Sequence, residues 1–374
     1  MVIRYHELMG AQHSPASAFT WEEWDLTSRG VPGNVVAEIL VQYPGVDGDG
    51  DLEARPGVRE VGSALSRRAI LAPQAAADQT ATFRVNVDAD GVIEIYDNFL
   101  VGQVPHCLFR PIGYFTGYRS YTETFISLNV GDGAWDDTTL FDTYGIPKGS
   151  VCDVYVGCEG DDGVQEVGIR NPMELGFKYA LNDILYDYGE NGVYVFCETD
   201  NTDGNIEVYA DDSAKASARC MGYWDLSVGY TTINASIVPG GAAAWWDCNL
   251  AGDGVPDKSI AVMVGFNREN GVANTCGVRE DGSALARVCD VDDGEATAGP
   301  FYWATCLSLC IEALGANAVV ELYTSDVTWA WFYCDGYLKT KGELAAIGGV
   351  AVADVDKINS VPMTDILGIN GVPV

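Results

Sequence analysis

The chain has 374 residues, of which 48% are hydrophobic, and its 54 acidic against 21 basic residues give it a net charge of -33. A chain of this length and apolar content can form two or three packed domains, and its charge would repel nucleic acid and anionic membranes, since phosphate contacts dominate such binding. No stretch reaches the roughly 18 apolar residues of a membrane span, so we expect neither a nucleic-acid partner nor membrane insertion.

The acidic excess also bears on the surroundings of the protein. An acidic surface stays hydrated in salt near 1 M, where the Debye length is only about 3 Å. The composition therefore favours adaptation to high salt, with an ordinary acidic secreted protein or a calcium binder as the alternative. The first seven residues do not combine a basic segment with an apolar one, which predicts no secretory signal and release by lysis or assembly.

The sequence repeats itself. Residues 57–67 return almost unchanged as residues 277–287, and Gly168-Ile169-Arg170 begins a weaker third copy between them. A repeat of this kind indicates copies of one structural unit and has to be considered before any fold is proposed.

Three further motifs have the same period. They are Gly-x-Pro at 30–32, 145–147 and 254–256, a Glu-x-Tyr strand motif at 93–96, 206–209 and 320–323, and Gly-Tyr at 113, 222 and 336. This spacing predicts an N-terminal arm over 1–18, units over 19–120, 121–229 and 230–338, and a C-terminal extension over 339–374.

Each unit has the pattern of β-strands. Residues 81–87 and 193–197 are short, β-branched and aromatic, and clusters of Gly, Asp and Asn follow them as turns. About eight such strands for each unit, without helices to cover a parallel sheet, predict an antiparallel β-sandwich. The predicted fold class is all-β, with three tandem, jelly-roll-like sandwiches and a C-terminal extension.

The extension has no counterpart after the first two units. It is apolar and ends in Gly368-Ile369-Asn370-Gly371-Val372 and two further residues. Such a segment either packs back on the third unit or adds a strand to a neighbouring subunit.

One arginine and one glutamate recur in every unit: Arg59 and Glu94, Arg170 and Glu207, Arg279 and Glu321. A planar guanidinium can hold a carboxylate through two hydrogen bonds, which favours a structural pair inside each sandwich. A binding site repeated three times is the alternative.

A stretch with alternating carboxylates precedes residues 57–67, the first copy of the eleven-residue repeat. Its acidic residues are Asp47, Asp49, Asp51 and Glu53. Carboxylates on a glycine-rich loop suit Ca²⁺ or another hard cation, although the twelve-residue spacing of an EF-hand is absent. A solvated acidic loop is the alternative, and no other cofactor is expected.

Cysteines form a second recurring pattern in the later units. Cys197 and Cys310 precede the repeated glutamate at similar distances, and Cys220 and Cys334 each stand two residues before the Gly-Tyr motif. Their joint presence predicts contacts between Cys197 and Cys220 and between Cys310 and Cys334, as disulfides in an oxidising compartment. Zinc is not expected, because the chain has no Cys-x-x-Cys motif.

Catalytic chemistry finds little support in the residues. None of the 3 histidines belongs to a repeated motif, which disfavours a Ser/His or Cys/His nucleophile. Tryptophans recur near the start of each unit, where a core or inter-domain role competes with a sugar-stacking platform; they are Trp21, Trp24, Trp135, Trp245 and Trp246.

The set of repeated motifs, with Trp24 matched to Trp246, resembles a tandem β-sandwich repeat of environmental viral and bacterial proteins. With the acidic composition, the chain is similar to structural proteins of tailed viruses that infect haloarchaea. The resemblance implies a non-enzymatic capsid decoration, turret or tail-surface protein, assembled in the host cytoplasm and released in the virion, with copies of itself and other virion proteins as partners. The alternatives are a carbohydrate-binding protein or adhesin that contacts host surface glycans, and a glycan hydrolase. Three units in one chain could also mimic a trimer.

Overall fold

The computed structural model describes residues 2–43, 54–69, 71, 79–98, 107–159, 163–173, 177–183, 190–268, 274–291, 303–328 and 330–341, together with four short strands farther on. Within these residues no helix is long and apolar enough to span a membrane.

The first sandwich consists of seven strands between residues 4 and 116. They are β1 (Arg4–Glu7), β2 (Glu22–Asp25), β3 (Val36–Tyr43), β4 (Gly57–Arg59), β5 (Gln79–Asn86), β6 (Val92–Tyr96) and β7 (Leu108–Thr116). One sheet has the order β1-β7-β3-β5 and the other β2-β6-β4. All pairings are antiparallel.

The second sandwich lies between residues 121 and 224. Its elements are β8 (Tyr121–Ser127), β9 (Gly131–Asp132), β10 (Trp135–Thr139), α1 (Leu140–Tyr144), β11 (Val151–Glu159), β12 (Gly163–Arg170), β13 (Phe177–Asp183), β14 (Glu190–Glu198), β15 (Asn205–Ala210) and β16 (Ala216–Trp224). The sheets have the orders β8-β16-β11-β14 and β10-β15-β12-β13, with β9 beside β15.

The third sandwich lies between residues 228 and 340. Its strands are β17 (Val228–Ile237), β18 (Trp246–Asn249), β19 (Ile260–Arg268), β20 (Asn274–Glu280), β21 (Val288–Val291), β22 (Trp303–Glu312), β23 (Val319–Thr324) and β24 (Ala330–Thr340). They form sheets of order β17-β24-β19-β22 and β18-β23-β20-β21, and a single parallel pair, Leu181 with Trp303, joins the second sandwich to the third.

The three sandwiches share one connectivity. If the two-residue strand β9 is left out, the first, third, fifth or sixth, and last strands of each sandwich form one sheet, and the remaining strands form the other. This alternation between two antiparallel sheets is the strand order of a jelly roll. The predicted fold class is therefore confirmed.

The N-terminal arm is a correction. Strand β1 pairs with β7 as β8 pairs with β16 and β17 with β24. Residues 4–7 are thus the first strand of the first sandwich, and the unit begins well before residue 19. The motif comparison missed this strand because it is short and keeps only one recognisable residue, Tyr5, in common with Tyr121 and Tyr230.

The Gly-x-Pro motifs end short helices that connect the two sheets. Gly30, Gly145 and Gly254 have φ of 90°, 72° and 92°, the left-handed conformation that glycine adopts without a steric penalty. The helices they terminate are α1 and the 3₁₀ turns Thr27–Arg29 and Ala251–Asp253; a third 3₁₀ turn is Ser213–Lys215. The residue after each glycine is buried and anchors the turn in its sandwich.

The sandwiches surround a common centre. Strands β5, β14 and β22, one from each unit, contact one another, while β8 contacts β5, β17 contacts β14 and β1 contacts β22. This cyclic pattern gives the chain a pseudo-threefold arrangement. Each sandwich has its own apolar core, and a fourth cluster of buried side chains, including Tyr5, Trp224 and Leu338, fills the space between the units.

Beyond Lys341 the structure describes two short hairpins. They consist of β25 (Ala346–Ile347) with β26 (Val350–Ala351), and β27 (Lys357–Ile358) with β28 (Val361–Pro362).

Candidate functional sites

The repeated Arg and Glu lie side by side on the outer sheet of every sandwich. Arg59 Nε donates to Glu94 Oε2 at 2.6 Å, and Arg279 Nε donates to Glu321 Oε2 at 2.7 Å. Arg170 donates to Glu207 in the same way. In each case the two residues are opposite one another on neighbouring strands, so the sheet register itself brings them together.

A tryptophan and a tyrosine complete this cluster. The guanidinium carbon of Arg59 lies 4.0 Å from the ring centre of Trp21, which in turn lies 5.3 Å from the ring of Tyr96. The same arrangement is made by Trp135, Arg170 and Tyr209, and by Trp245, Arg279 and Tyr323. Contact between a guanidinium and an indole face stabilises by roughly 0.5 to 1 kcal/mol at exposed sites.

The arginines of these clusters are engaged within the protein. Arg59 Nη1 also donates to the carbonyl of Leu65 at 3.1 Å, and Arg279 Nη1 to that of Leu285 at 3.3 Å. The cluster therefore fixes the turn that follows the Gly-x-Arg strand. Each indole is partly exposed, and the arginine covers one of its faces.

The structure corrects one alignment of tryptophans. Trp246 is not the equivalent of Trp24, and it is Trp245 that occupies the place of Trp21. Trp246 stands opposite Leu322 as Glu22 stands opposite Ile95, and the counterpart of buried Trp24 is Cys248. Two adjacent tryptophans at 245 and 246 made the register ambiguous in the sequence.

A buried ionic network joins the three units at their common centre. Arg84 of β5 donates from Nη2 to Glu38 Oε1 at 2.8 Å and from Nη1 to Asp153 Oδ1 of the second unit at 3.1 Å. Its Nη2 also lies 3.6 Å from Cys310 Sγ of the third unit. Arg84, Glu38 and Asp153 are all fully buried.

Burial and the ionic partners both shift the pKa values of the groups at this centre. Burial raises the pKa of the Asp153 carboxyl, although Arg84 and Arg67 lower it. Burial alone would lower the pKa of Arg84, but Asp153, Cys310 and Glu38 together raise it well above its ordinary value. Each charge thus depends on its partners, as expected for ions held in a low dielectric.

Two arginines, one at the end of each copy of the eleven-residue repeat, extend the network from one unit to the next. Arg67 lies 3.2 Å from Glu123 and 3.4 Å from Tyr121 Oη, both in the first strand of the second unit. Arg287 of the third unit donates to Tyr5 Oη at 2.8 Å and lies 3.7 Å from Glu7, in the first strand of the first unit. The motif is conserved between these units because it builds the same junction twice.

Sequence reasoning missed this network. The signal for Arg67 and Arg287 was present, since both end the eleven-residue repeat. Glu38, Asp153 and Val262 are structurally equivalent, because each stands opposite the glycine of the repeated Gly-Tyr motif. Arg84, Phe196 and Cys310 are also equivalent, because each stands opposite one of those three residues on the next strand. These positions differ between units, so a search for repeated residues passes over them.

The predicted cysteine contacts are corrected. Cys197 and Cys220 lie on β14 and β16, which flank β11 on opposite sides, and Cys152 of β11 stands between them. Cys310 and Cys334 are likewise separated by β19. Strands two apart in a sheet are about 10 Å apart, too far for a disulfide. The nine described cysteines are all buried.

The register of Cys310 explains the error. The equivalent of Cys310 is Phe196, and Cys197 corresponds to Ile311. A shift of one residue moves a side chain to the other face of a sheet. Cys310 accordingly belongs to the central cluster, whereas Cys334 faces the core of the third sandwich.

The acidic loop with Asp47, Asp49, Asp51 and Glu53 lies outside the described residues. Its calcium site stays a prediction. Among the residues that are described, no three His, Cys, Asp or Glu side chains are grouped so as to hold a metal ion.

No protein-family model matches the chain, and no curated protein matches it by sequence. Solved structures give distant likenesses. One is from the triple jelly-roll fold and turret assembly of an archaeal virus, with 7% identity, 91% of each chain covered and a TM-score of 0.19.

Two other solved structures are similar at the same level. The N-terminal CBM22-1-CBM22-2 tandem domain of Paenibacillus barcinonensis Xyn10C has 9% identity over 57% of this chain and 85% of its own, with a TM-score of 0.18. A chain of the lipid-containing bacteriophage PM2 has 9% identity over 90% of this chain and 99% of its own, with a TM-score of 0.14. Likenesses this distant carry no argument about the function of this chain.

Proposed function

We propose that the protein is a non-enzymatic structural component of a virus particle, displayed as a capsid decoration, turret or tail-surface protein. The observation that carries the proposal is the closed ring of three jelly rolls around one buried ionic centre. Jelly rolls are recurrent building blocks of viral shells, and a pseudo-threefold chain can occupy a position of threefold symmetry as a single molecule.

The surface charge is consistent with a particle exposed to salt. A net charge of -33 makes copies of the chain repel one another at low ionic strength, and salt screens that repulsion. On this proposal the partners are other virion proteins and copies of the chain, assembly takes place in the host cytoplasm, and the protein is released in the particle.

The test is incorporation into particles. Virions whose genome encodes this chain are purified by density gradient, and peptides of the chain are quantified by mass spectrometry against those of the major capsid protein. We expect a fixed ratio that persists through repeated banding and immunogold labelling on the particle surface. Peptides found only in the soluble lysate would overturn the proposal.

A second candidate, a carbohydrate-binding protein or adhesin, is favoured by the threefold presentation of Trp21, Trp135 and Trp245. Each indole is partly exposed at the same place on its sandwich, and three linked weak sites can bind a multivalent surface with high avidity. Glycan-array binding that falls on Trp135→Ala would favour this candidate. Release of reducing sugar from a polysaccharide would instead favour a glycan hydrolase.

A further inference from the structure

Large apolar side chains are exposed at one end of the second sandwich. Phe141 and Tyr144 of α1 are 41% and 49% exposed, Met173 is 83% exposed and Leu226 is 39% exposed. We refer to these four residues as the apolar patch. All four lie in connections between strands, at the end of the sandwich where β16 leads into the third unit.

The other two sandwiches lack this patch. The position of Phe141 is occupied by Thr27 in the first unit and Ala251 in the third, each directly after the leucine that precedes the short helix. The position of Met173 is occupied by Gly62 and Gly282. The patch therefore breaks the pseudo-threefold repetition, and the common fold does not explain it.

The chain leaves its last long strand beside Leu226 of the patch. The backbone N–H of Lys341, directly after β24, donates to Ser227 O at 2.9 Å, next to Leu226. Its ammonium group lies 2.9 Å from Glu198 and also bonds the carbonyl of Gly149.

Two further contacts connect the surroundings of the Lys341 ammonium group with Phe141 and Met173. Lys148, adjacent to Gly149, places its ammonium 4.8 Å from the ring centre of Phe141. Asn171, two residues before Met173, donates from Nδ2 to Glu198 O at 3.0 Å. Lys341 thus directs the chain out of the third unit onto the end of the second.

The segment that follows is apolar enough to cover the patch. Residues 342–374 include the run Ile366-Leu367-Gly368-Ile369 and isolated valines and isoleucines on either side of it. Because the segment is tethered at the edge of the patch, its local concentration there is on the order of millimolar. Four exposed apolar side chains and an apolar segment leaving from among them can both bury surface by contact.

We propose that residues 342–374 fold back in the same chain and pack on the apolar patch of the second sandwich. The extension then fastens the third unit to the second, at the junction where β17 also contacts β14. The proposal does not depend on the role of the protein in a virion.

Photo-crosslinking on the full chain tests it. The photoreactive residue p-benzoylphenylalanine replaces Tyr144, and in matched controls Arg29 or Asp253, which directly precede the equivalent glycines, in an equal mixture of ¹⁴N- and ¹⁵N-labelled protein. We expect crosslinked peptides that join position 144 to residues 342–374, with both peptides of one isotope, and none to the extension from the controls. Mixed-isotope crosslinks would show a neighbouring copy on the patch, and crosslinks that avoid the extension would leave the patch without it; either result overturns the proposal.

Hydrogen exchange gives a second readout on intact protein. Ile366→Asp places a charge in the apolar run, while Thr364→Asp adds the same charge at a polar position nearby. If the extension covers the patch, Ile366→Asp speeds exchange in residues 140–146 and 225–227 by about tenfold, and exchange in residues 26–31 is unchanged. Equal exchange in the two variants would count against the proposal.

Discussion

Arg84 is the residue on which the junction of the three units converges. Its guanidinium bonds Glu38 in its own unit and Asp153 in the second, and contacts Cys310 in the third. Replacing a whole buried ionic network with apolar residues is often neutral in stability, whereas removing one member leaves an uncompensated charge. We infer that the network specifies how the sandwiches are oriented more than it stabilises them.

The first prediction concerns this arginine. Arg84→Met leaves two buried carboxylates without their partner and should lower the free energy of unfolding by roughly 3 to 5 kcal/mol. Arg59→Met, in a surface cluster, should lower it by about 1 kcal/mol. Urea unfolding followed by circular dichroism measures both.

The combined variant Glu38→Met, Arg84→Met and Asp153→Leu should recover most of the lost stability, because no unpaired charge remains. Similar unfolding midpoints for Arg84→Met and Arg59→Met would contradict the central role of Arg84.

The second prediction concerns Glu280, at the junction of the third unit with the first. Burial, with the nearby carboxylates of Glu7 and Glu312, raises its pKa from 4.5 to about 7, and Arg287 opposes the rise. Glu280 lines a cavity of about 470 Å³. Arg4, which pairs with Glu312, and His6 line the same cavity.

The sign of the pH effect follows from proton binding. Between pH 4.5 and 7 the folded chain holds a proton on Glu280 that the unfolded chain has lost, so this group makes stability fall as pH rises through that window. Glu280→Gln should flatten that fall in the thermal midpoint. Glu60→Gln, at the corresponding turn where Asn86 replaces Glu312, controls for removing a carboxylate. An unaltered pH profile in Glu280→Gln would refute the assignment.

At the scale of elements, the first strand of each sandwich is held by a tyrosine packed on a glycine. A Cβ on Gly222 would lie 2.1 Å from Tyr121 Oη, and one on Gly336 would lie 2.5 Å from Tyr230 Oη. Gly113 and Tyr5 repeat the arrangement at 1.9 Å. The Gly-Tyr motif recurs because a side chain at the glycine would displace the tyrosine that reaches toward the centre.

The third prediction tests this contact. Gly222→Ala should lower stability by about 1 to 3 kcal/mol, because the buried Tyr121 ring has no room to move. Gly241→Ala is the matched control, since no atom lies within 4 Å of the Cβ it would add. Differential scanning calorimetry compares the two, and a Gly222→Ala midpoint equal to that of Gly241→Ala would contradict the packing argument.

At the scale of the whole molecule, the chain closes on itself. Strand β1 of the first unit packs on β22 of the third, and Ile3 N donates to Thr340 Oγ1 at 3.0 Å. The two ends of the three-sandwich body are therefore neighbours. The end of one unit and the start of the next are neighbours in the same way, because only residues 117–120 and 225–227 link them.

The fourth prediction follows from this closure. A permuted chain that joins Lys341 to Val2 through a short Gly/Ser linker and begins at Ser120 should fold, because the new ends lie in an existing link between units. Far-UV circular dichroism and the thermal midpoint should match those of the unpermuted chain 2–341. The same joined chain opened between Val154 and Tyr155, inside β11, should lose its structure. If both permuted chains fail alike, the ring closure is wrong.

The fifth prediction concerns charge. Raising KCl from about 0.2 to about 3 M should raise the thermal midpoint, because screening relieves repulsion among carboxylates of a chain with net charge -33. A neutral osmolyte at matched osmolality separates screening from solvent exclusion. A midpoint that falls with KCl would argue against adaptation to salt.

The sequence by itself determined the elements that depend on local pattern. Short runs of β-branched and aromatic residues followed by turn clusters predicted the strands, and the repeats predicted three related sandwiches with jelly-roll character. The partners Arg59 and Glu94 were also identifiable, since neighbouring strands carry them in matched copies and their contact is set by sheet register.

The tertiary structure alone decided how the units meet. Arg84, Glu38 and Asp153 lie far apart in the sequence and differ from their counterparts in the other units, so neither periodicity nor repetition marks them. The faces of Cys197 and Cys310 depended on a shift of one residue, which similar spacing cannot resolve. Contacts between units arise from the packing of whole sandwiches, and that packing follows from side chains brought together only when all three are folded.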